Sequence, residues 1–266
     1  MGEYLKVSSL LDAYSRMNSS DKDYLLLRTQ LQLVWNKNTT AAIATVQEAL
    51  KQYPSDYDVI LMAAEIASIA NQGINGKNSL QLLEGLSTTE KQNTSVLVIT
   101  IREAVRNREW EKAYDSSVIL LQNSDKELSV EQFLTHVEIC LSLNKISEAK
   151  EYLDPVYITH SANEEVIQWH LRLLKAEGKK SDCLALINSL LQNASGKLKT
   201  ILYYERSTLQ STDEGILSDL RQSLTANPRN ENALYDLYQF YFTRGDYRKA
   251  QYYLKQVLAI TPQDSF

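Results

Sequence analysis

The chain has 266 residues, with 28 Lys plus Arg against 33 Asp plus Glu and a formal net charge of −5. A hydrophobic share of 44% and a charged share of 23% are ordinary for a soluble folded chain. No basic stripe marks it as a nucleic-acid binder, and no run approaches the ~18 apolar residues of a transmembrane helix. Only 8 Gly and 4 Pro occur, too few for an all-β or loop-rich protein and expected for helices.

Residues 3–17 predict an amphipathic helix with Leu5, Leu10, Leu11 and Tyr14 on its apolar side, a cap for the first helical pair. Asn18-Ser19-Ser20-Asp21 reads as a turn ending in a helix N-cap. Helical pairs are then predicted over Leu26–Pro54, Ile60–Leu86, Leu97–Gln122, Phe133–Tyr157, Ile167–Leu191 and Thr200–Pro228. The second has a longer turn, Gln72-Gly-Ile-Asn-Gly76. Its Gly73 and Gly76 are no phosphate motif, because no Gly-Lys-Ser/Thr comes after them. The last pair is clearest. Leu234, Leu237, Tyr238 and Tyr241 line one helix face, Gly245 breaks the helix, and Ala250, Tyr253, Leu254, Val257 and Leu258 pattern a second helix that Pro262 ends.

One position recurs through these pairs: Ala42, Ser79, Ala113, Ala149, Cys183, Ile216 and Ala250, at gaps of 37, 34, 36, 34, 33 and 34 residues. That period means stacked helical hairpins. A small residue is needed where two helices cross closely, so Ile216, the one bulky member, predicts a wider crossing. The two cysteines, Cys140 and Cys183, fall at buried positions of the repeat, so no disulfide framework is implied. His136, His160 and His170 form no Cys/His cluster in sequence, and no metal or cofactor is expected.

The motif Leu234-Leu237-Tyr241-Gly245-Asp246-Tyr247-Ala250-Pro262 resembles the tetratricopeptide repeat. Tyr238 and Val257 depart from it, since the family usually has small residues there. The resemblance covers about residues 23–262. It implies an all-α, right-handed α-solenoid of about seven hairpins, with residues 1–22 as an N-terminal capping helix and 263–266 as a tail. It also implies that the residue eleven before each small position faces a concave groove. There Glu65 (moved to fourteen before Ser79 by the longer turn of the second pair), Arg102, Glu138, Arg172 and Glu205 alternate in charge, flanked by Leu31 and Gln239. Neighbouring helices packed at ~8–10 Å would let these charges meet. The column reads either as a structural charge ladder or as a ligand site, with Arg102 and Arg172 offered to a carboxylate. Arg106 and Lys175 add to a locally basic centre. The Lys/Asn clamp with which some members hold chaperone tails is not reproduced: Leu27, Leu31, Val98 and Arg102 stand there.

No catalytic constellation is present, so the expected function is non-enzymatic. The chain is expected to bind a protein or peptide in its groove through Arg102, Arg106, Glu138, Arg172, Lys175, Tyr235 and Gln239. Trp169 falls either on the groove wall or in a hairpin core. The alternative is a structural subunit, or a self-associating oligomer, docking through an uncapped C-terminal end with Leu254, Val257 and Leu258 exposed. No signal peptide is evident at Met1-Gly2-Glu3. The compartment stays open: a cytoplasmic chain, or an exported domain whose leader or anchor was removed.

Overall fold

The computed structural model describes residues 6, 9–14, 18–123 and 128–261. The expected 263–266 tail lies outside them. The chain forms two compact units, residues 1–128 and 129–266.

In the first unit, residues 9–14 are helical. Leu11 packs against a cluster holding Tyr24, Leu25, Ala49 and Val59, and Tyr14 meets Tyr24 at 6.1 Å between ring centroids. Leu10, expected on the apolar side, is exposed. Three hairpins come next. α1 (Lys22–Gln30) runs into a π-helical turn (Leu31–Trp35) and pairs with α2 (Thr39–Gln52). α3 (Tyr57–Ala70) pairs with the short α4 (Ser79–Leu83). After α5 (Thr88–Lys91), α6 (Thr94–Arg106) pairs with α7 (Trp110–Gln122).

The second unit has four hairpins: α8 (Val130–Ser142) with α9 (Ile146–Thr159), α10 (Glu164–Ala176) with α11 (Lys180–Leu191), α12 (Gly196–Ser207) with α13 (Asp213–Ala226), and α14 (Glu231–Thr243) with α15 (Tyr247–Ile260). The architecture is an all-α helical-repeat solenoid. Among the described residues, the only β-type pairing is the isolated bridge Ile74–Lys77, and no helix is long and apolar enough to cross a membrane.

The small column lies where the helices close. Ala42, Ala113, Ala149, Cys183 and Ala250 are each the fourth residue of a second helix and at most 3% exposed. Ser79 is also buried, but it is the first residue of α4, because the longer turn delays that helix. That turn is a two-residue hairpin. Asn75 and Gly76 both have positive φ, as a type I′ turn requires, and Ile74 and Lys77 exchange both backbone hydrogen bonds. Ile216 keeps the register as fourth residue of α13 but is only half-buried. Asp219, one turn on, is buried instead, held by both Arg206 Nη2 at 2.6 Å and Arg206 Nε at 3.0 Å. A polar lock thus stands in this hairpin where the others have close apolar contact.

Five of the seven hairpin turns described share one device. A left-handed residue sits two positions before the second helix: Lys37, Arg108, Asn144, Gly178 and Gly245. In the last four, the next residue's N–H donates to a carbonyl five back: Glu109 to Ala104, Lys145 to Cys140, Lys179 to Leu174 and Asp246 to Tyr241, at 2.8–3.0 Å. This is the Schellman closure, which satisfies carbonyls that a helix end leaves orphaned. A Cβ added at Gly245 would meet nothing within 4 Å, so the glycine serves the backbone alone. Gly245→Ala should therefore cost about 1 kcal/mol. Arg108→Gly should gain about 0.5–1 kcal/mol, because left-handed strain outweighs the added unfolded-state entropy. Urea denaturation of both variants checks the opposite signs.

Candidate functional site

The first helices of successive hairpins in the second unit, α8, α10 and α12, lie side by side. Between them is a cleft of about 240 Å³, lined by Glu131, Leu134, Thr135 and Glu138 of α8, Glu165, Gln168, Trp169 and Arg172 of α10, and Lys197 of α12. The α8 and α10 residues match at one period: 131 and 165, 134 and 168, 135 and 169, 138 and 172 are each 34 apart. The cleft floor is therefore one repeat face presented twice. Trp169 stands on the wall, with the Arg172 guanidinium over its ring at 4.5 Å.

Most of its charges are already committed. Glu205, almost fully buried, receives Arg172 Nε at 3.6 Å, Gln168 Nε2 at 3.3 Å and the Lys175 ammonium. Lys175 also donates to Thr208 Oγ1 at 3.1 Å. Lys197 pairs with Glu165 at 3.2 Å. Glu138 and the exposed Glu131 are the exceptions: among the described residues, no ion pair or hydrogen bond holds either side chain, and of the two only Glu138 is half-buried. Burial pushes the Glu138 carboxyl above the usual carboxylate range, and the field of Arg172 offsets this only in part.

The remaining expected residues fall elsewhere. In the first unit, Arg106 pairs with Glu103 at 2.7 Å and donates to the Ser68 carbonyl at 2.9 Å. Arg102 is half-buried, and its Nη1 is buried without a hydrogen-bond partner. Glu65 is exposed beside an apolar cleft that includes Leu27, Leu31, Val34 and Trp35. In the second unit, Gln239 donates to Tyr235 Oη at 2.8 Å. It lines a separate cleft with Ile216, Asp236 and Phe240, at the crossing where Ile216 predicted extra width.

At the C-terminal end the expectation needs correction. Val257 is fully buried and Leu254 half-buried, whereas Leu258 is exposed. Val257 shares the Ala250–Tyr253 stripe, seven residues from Ala250, and so turns inward. Phe242, Tyr247 and Tyr252 are the larger exposed apolar groups nearby. The structure also brings Glu148 of α9 to His136 and Cys140, four residues apart on α8, so that three metal-ligating types meet.

No protein-family model matches the chain, and no curated protein matches it in sequence. Solved structures do match it in fold. A tetratricopeptide repeat protein from Parabacteroides merdae superposes with a TM-score of 0.72 at 15% identity, over 90% of this chain and 93% of its own. Yeast Tom70 gives 0.58 at 13% identity, over 97% of this chain, and Cut9–Hcn1 of the APC/C gives 0.57 at 12%, over 98%. This chain spans only 55% and 50% of those two. The fold is thus a tetratricopeptide-like helical repeat.

Glu138 offers a pH test. Its carboxyl titrates higher when folded, so its unfavourable contribution is fully present at neutral pH and disappears below the unfolded-state value, about 4.3. Glu138→Gln should raise the melting temperature at pH 7, and the gain should vanish below about pH 4. Melting curves across that range, against the parent chain, check it.

Proposed function

We propose that this chain is a non-enzymatic protein-interaction module, and that the cleft between α8, α10 and α12 takes a peptide segment carrying a Lys or Arg beside an apolar side chain. One observation carries this reading: Glu138 is the half-buried charge of the cleft without a partner among the described residues. A carboxylate left partly desolvated weakens the fold, and a cationic side chain brought by a ligand would relieve that cost. Trp169 adds a flat aromatic wall, suited to stacking and to apolar contact. The cleft is smaller than the about 300–1,000 Å³ of small-molecule sites, so an extended side-chain contact suits it better than an enclosed metabolite.

The opposite polarity, an acidic ligand on Arg172, finds less support. Arg172 already faces Glu205 and stacks on Trp169, and Lys175 is held by Glu205 and Thr208. An acidic ligand would have to compete with a buried carboxylate for both cations.

Selection from a random peptide library on the purified chain tests this. Lys or Arg should be enriched at a fixed position next to an apolar residue, and Glu138→Lys should lose that enrichment. Trp169→Ala should weaken binding of the selected peptides by about 1–2 kcal/mol, on the order of tenfold. Enrichment of acidic peptides, or an unchanged selection with Glu138→Lys, would overturn the reading.

A further inference from the structure

The fourth hairpin holds three donors of different chemistry. His136 and Cys140 lie four residues apart on α8, which puts both on one face of the helix. Glu148 enters from the first turn of α9. The turn fixes this approach, because Lys145 N–H donates to the Cys140 carbonyl at 2.8 Å and brings the start of α9 back over Cys140. Ala149, fully buried beside Glu148, lets the two helices close. Cys140 Sγ stands 3.3 Å from His136 Nε2, and Nε2 stands 3.5 Å from Glu148 Oε1. All three donor atoms lie within 4.8 Å of one another, and among the described residues this is the one such group.

We propose that His136, Cys140 and Glu148 bind a single divalent transition-metal ion, with zinc the best match. The donor set, one imidazole, one thiolate and one carboxylate, is the mixture that zinc accepts. With zinc bonds of about 2.0–2.1 Å to nitrogen, 2.3 Å to sulfur and 2.0–2.2 Å to oxygen, the edges of a tetrahedron are about 3.3–3.6 Å. The two separations at Nε2, 3.3 and 3.5 Å, fall in that range, and the third, Cys140 Sγ to the Glu148 carboxylate, is within 4.8 Å. Tyr152, one turn after Glu148, packs edge-on against the His136 ring at 4.6 Å and sets its plane. His136 and Cys140 are buried whereas Glu148 is partly exposed, so the ion enters on the Glu148 side and water takes the fourth position. Lys145 lies 3.8 Å from the other Glu148 oxygen, Oε2. Binding releases the thiol proton and pins α9 to α8.

Cobalt(II) titration of the purified, metal-free full chain tests this, because cobalt bound to a thiolate gives an intense near-ultraviolet charge-transfer band. The band should saturate at one equivalent and be bleached by zinc. Cys140→Ser should abolish it. Cys183→Ser should keep it, since that thiol sits apart against the Leu171 carbonyl at 3.6 Å. Glu148→Gln, on a partly exposed side chain, should preserve the far-ultraviolet circular dichroism and weaken cobalt binding at least tenfold. If Cys140→Ser does not fold, protection of Cys140 from alkylation by one equivalent of zinc in the parent chain replaces that arm. Absence of a thiolate band at stoichiometric cobalt, or unchanged affinity in Glu148→Gln, would overturn the site and leave a hydrogen-bonded buried histidine only.

Discussion

The structure rests on close helix crossings at one recurring position, the fourth residue of the second helix. Ala42, Ala113, Ala149, Cys183 and Ala250 have almost no exposed surface there. A larger side chain must push the helices apart or strain them, at about 1–3 kcal/mol. Other features depend on that contact. The turn must reverse the chain within three residues, which requires a left-handed residue and the closing bond to a carbonyl five back. In the fourth hairpin, the approach that buries Ala149 also sets Glu148 beside His136. Where the column carries Ile216, a partly buried Arg206–Asp219 pair stands in for the apolar contact and a cleft opens beside it.

The fold was legible because this constraint repeats. One position recurring every 33–37 residues, small in all but Ile216, gives the period and the hairpin count. The turns inside the hairpins were legible only where glycine marks them. Gly178 and Gly245 could be read, but Arg108 adopts the same left-handed conformation with no signal in its identity. The π-helical turn at Leu31–Trp35 was invisible for a similar reason: its residues keep an apolar helical pattern while the hydrogen bonding shifts.

The candidate site was half legible. The charge column led to Glu138, Arg172 and Glu205, but a single column misses the width of a helix face. Following four matching positions per repeat would have added Glu131, Leu134 and Gln168 and put Trp169 on the groove wall. Sequence also could not say which charges are free. Arg106 and Lys175 look available to a ligand until Glu103 and Glu205 are placed beside them. Likewise Cys140 read as a core residue and His136 as part of no cluster, because Glu148 arrives only through the turn. Val257 shows the reverse error: exposure was inferred from its place near the end of the chain, whereas its helical phase with Ala250 turns it inward.

The central claim is that stability is local, passed from hairpin to hairpin through these crossings. Amide hydrogen exchange on Ala149→Leu, compared with the parent chain, tests it most directly. Protection should fall most in α8 and α9, less in α10 and α11, and least in α14 and α15. An equal loss across all helices of the second unit would mean one cooperative core and would contradict the account.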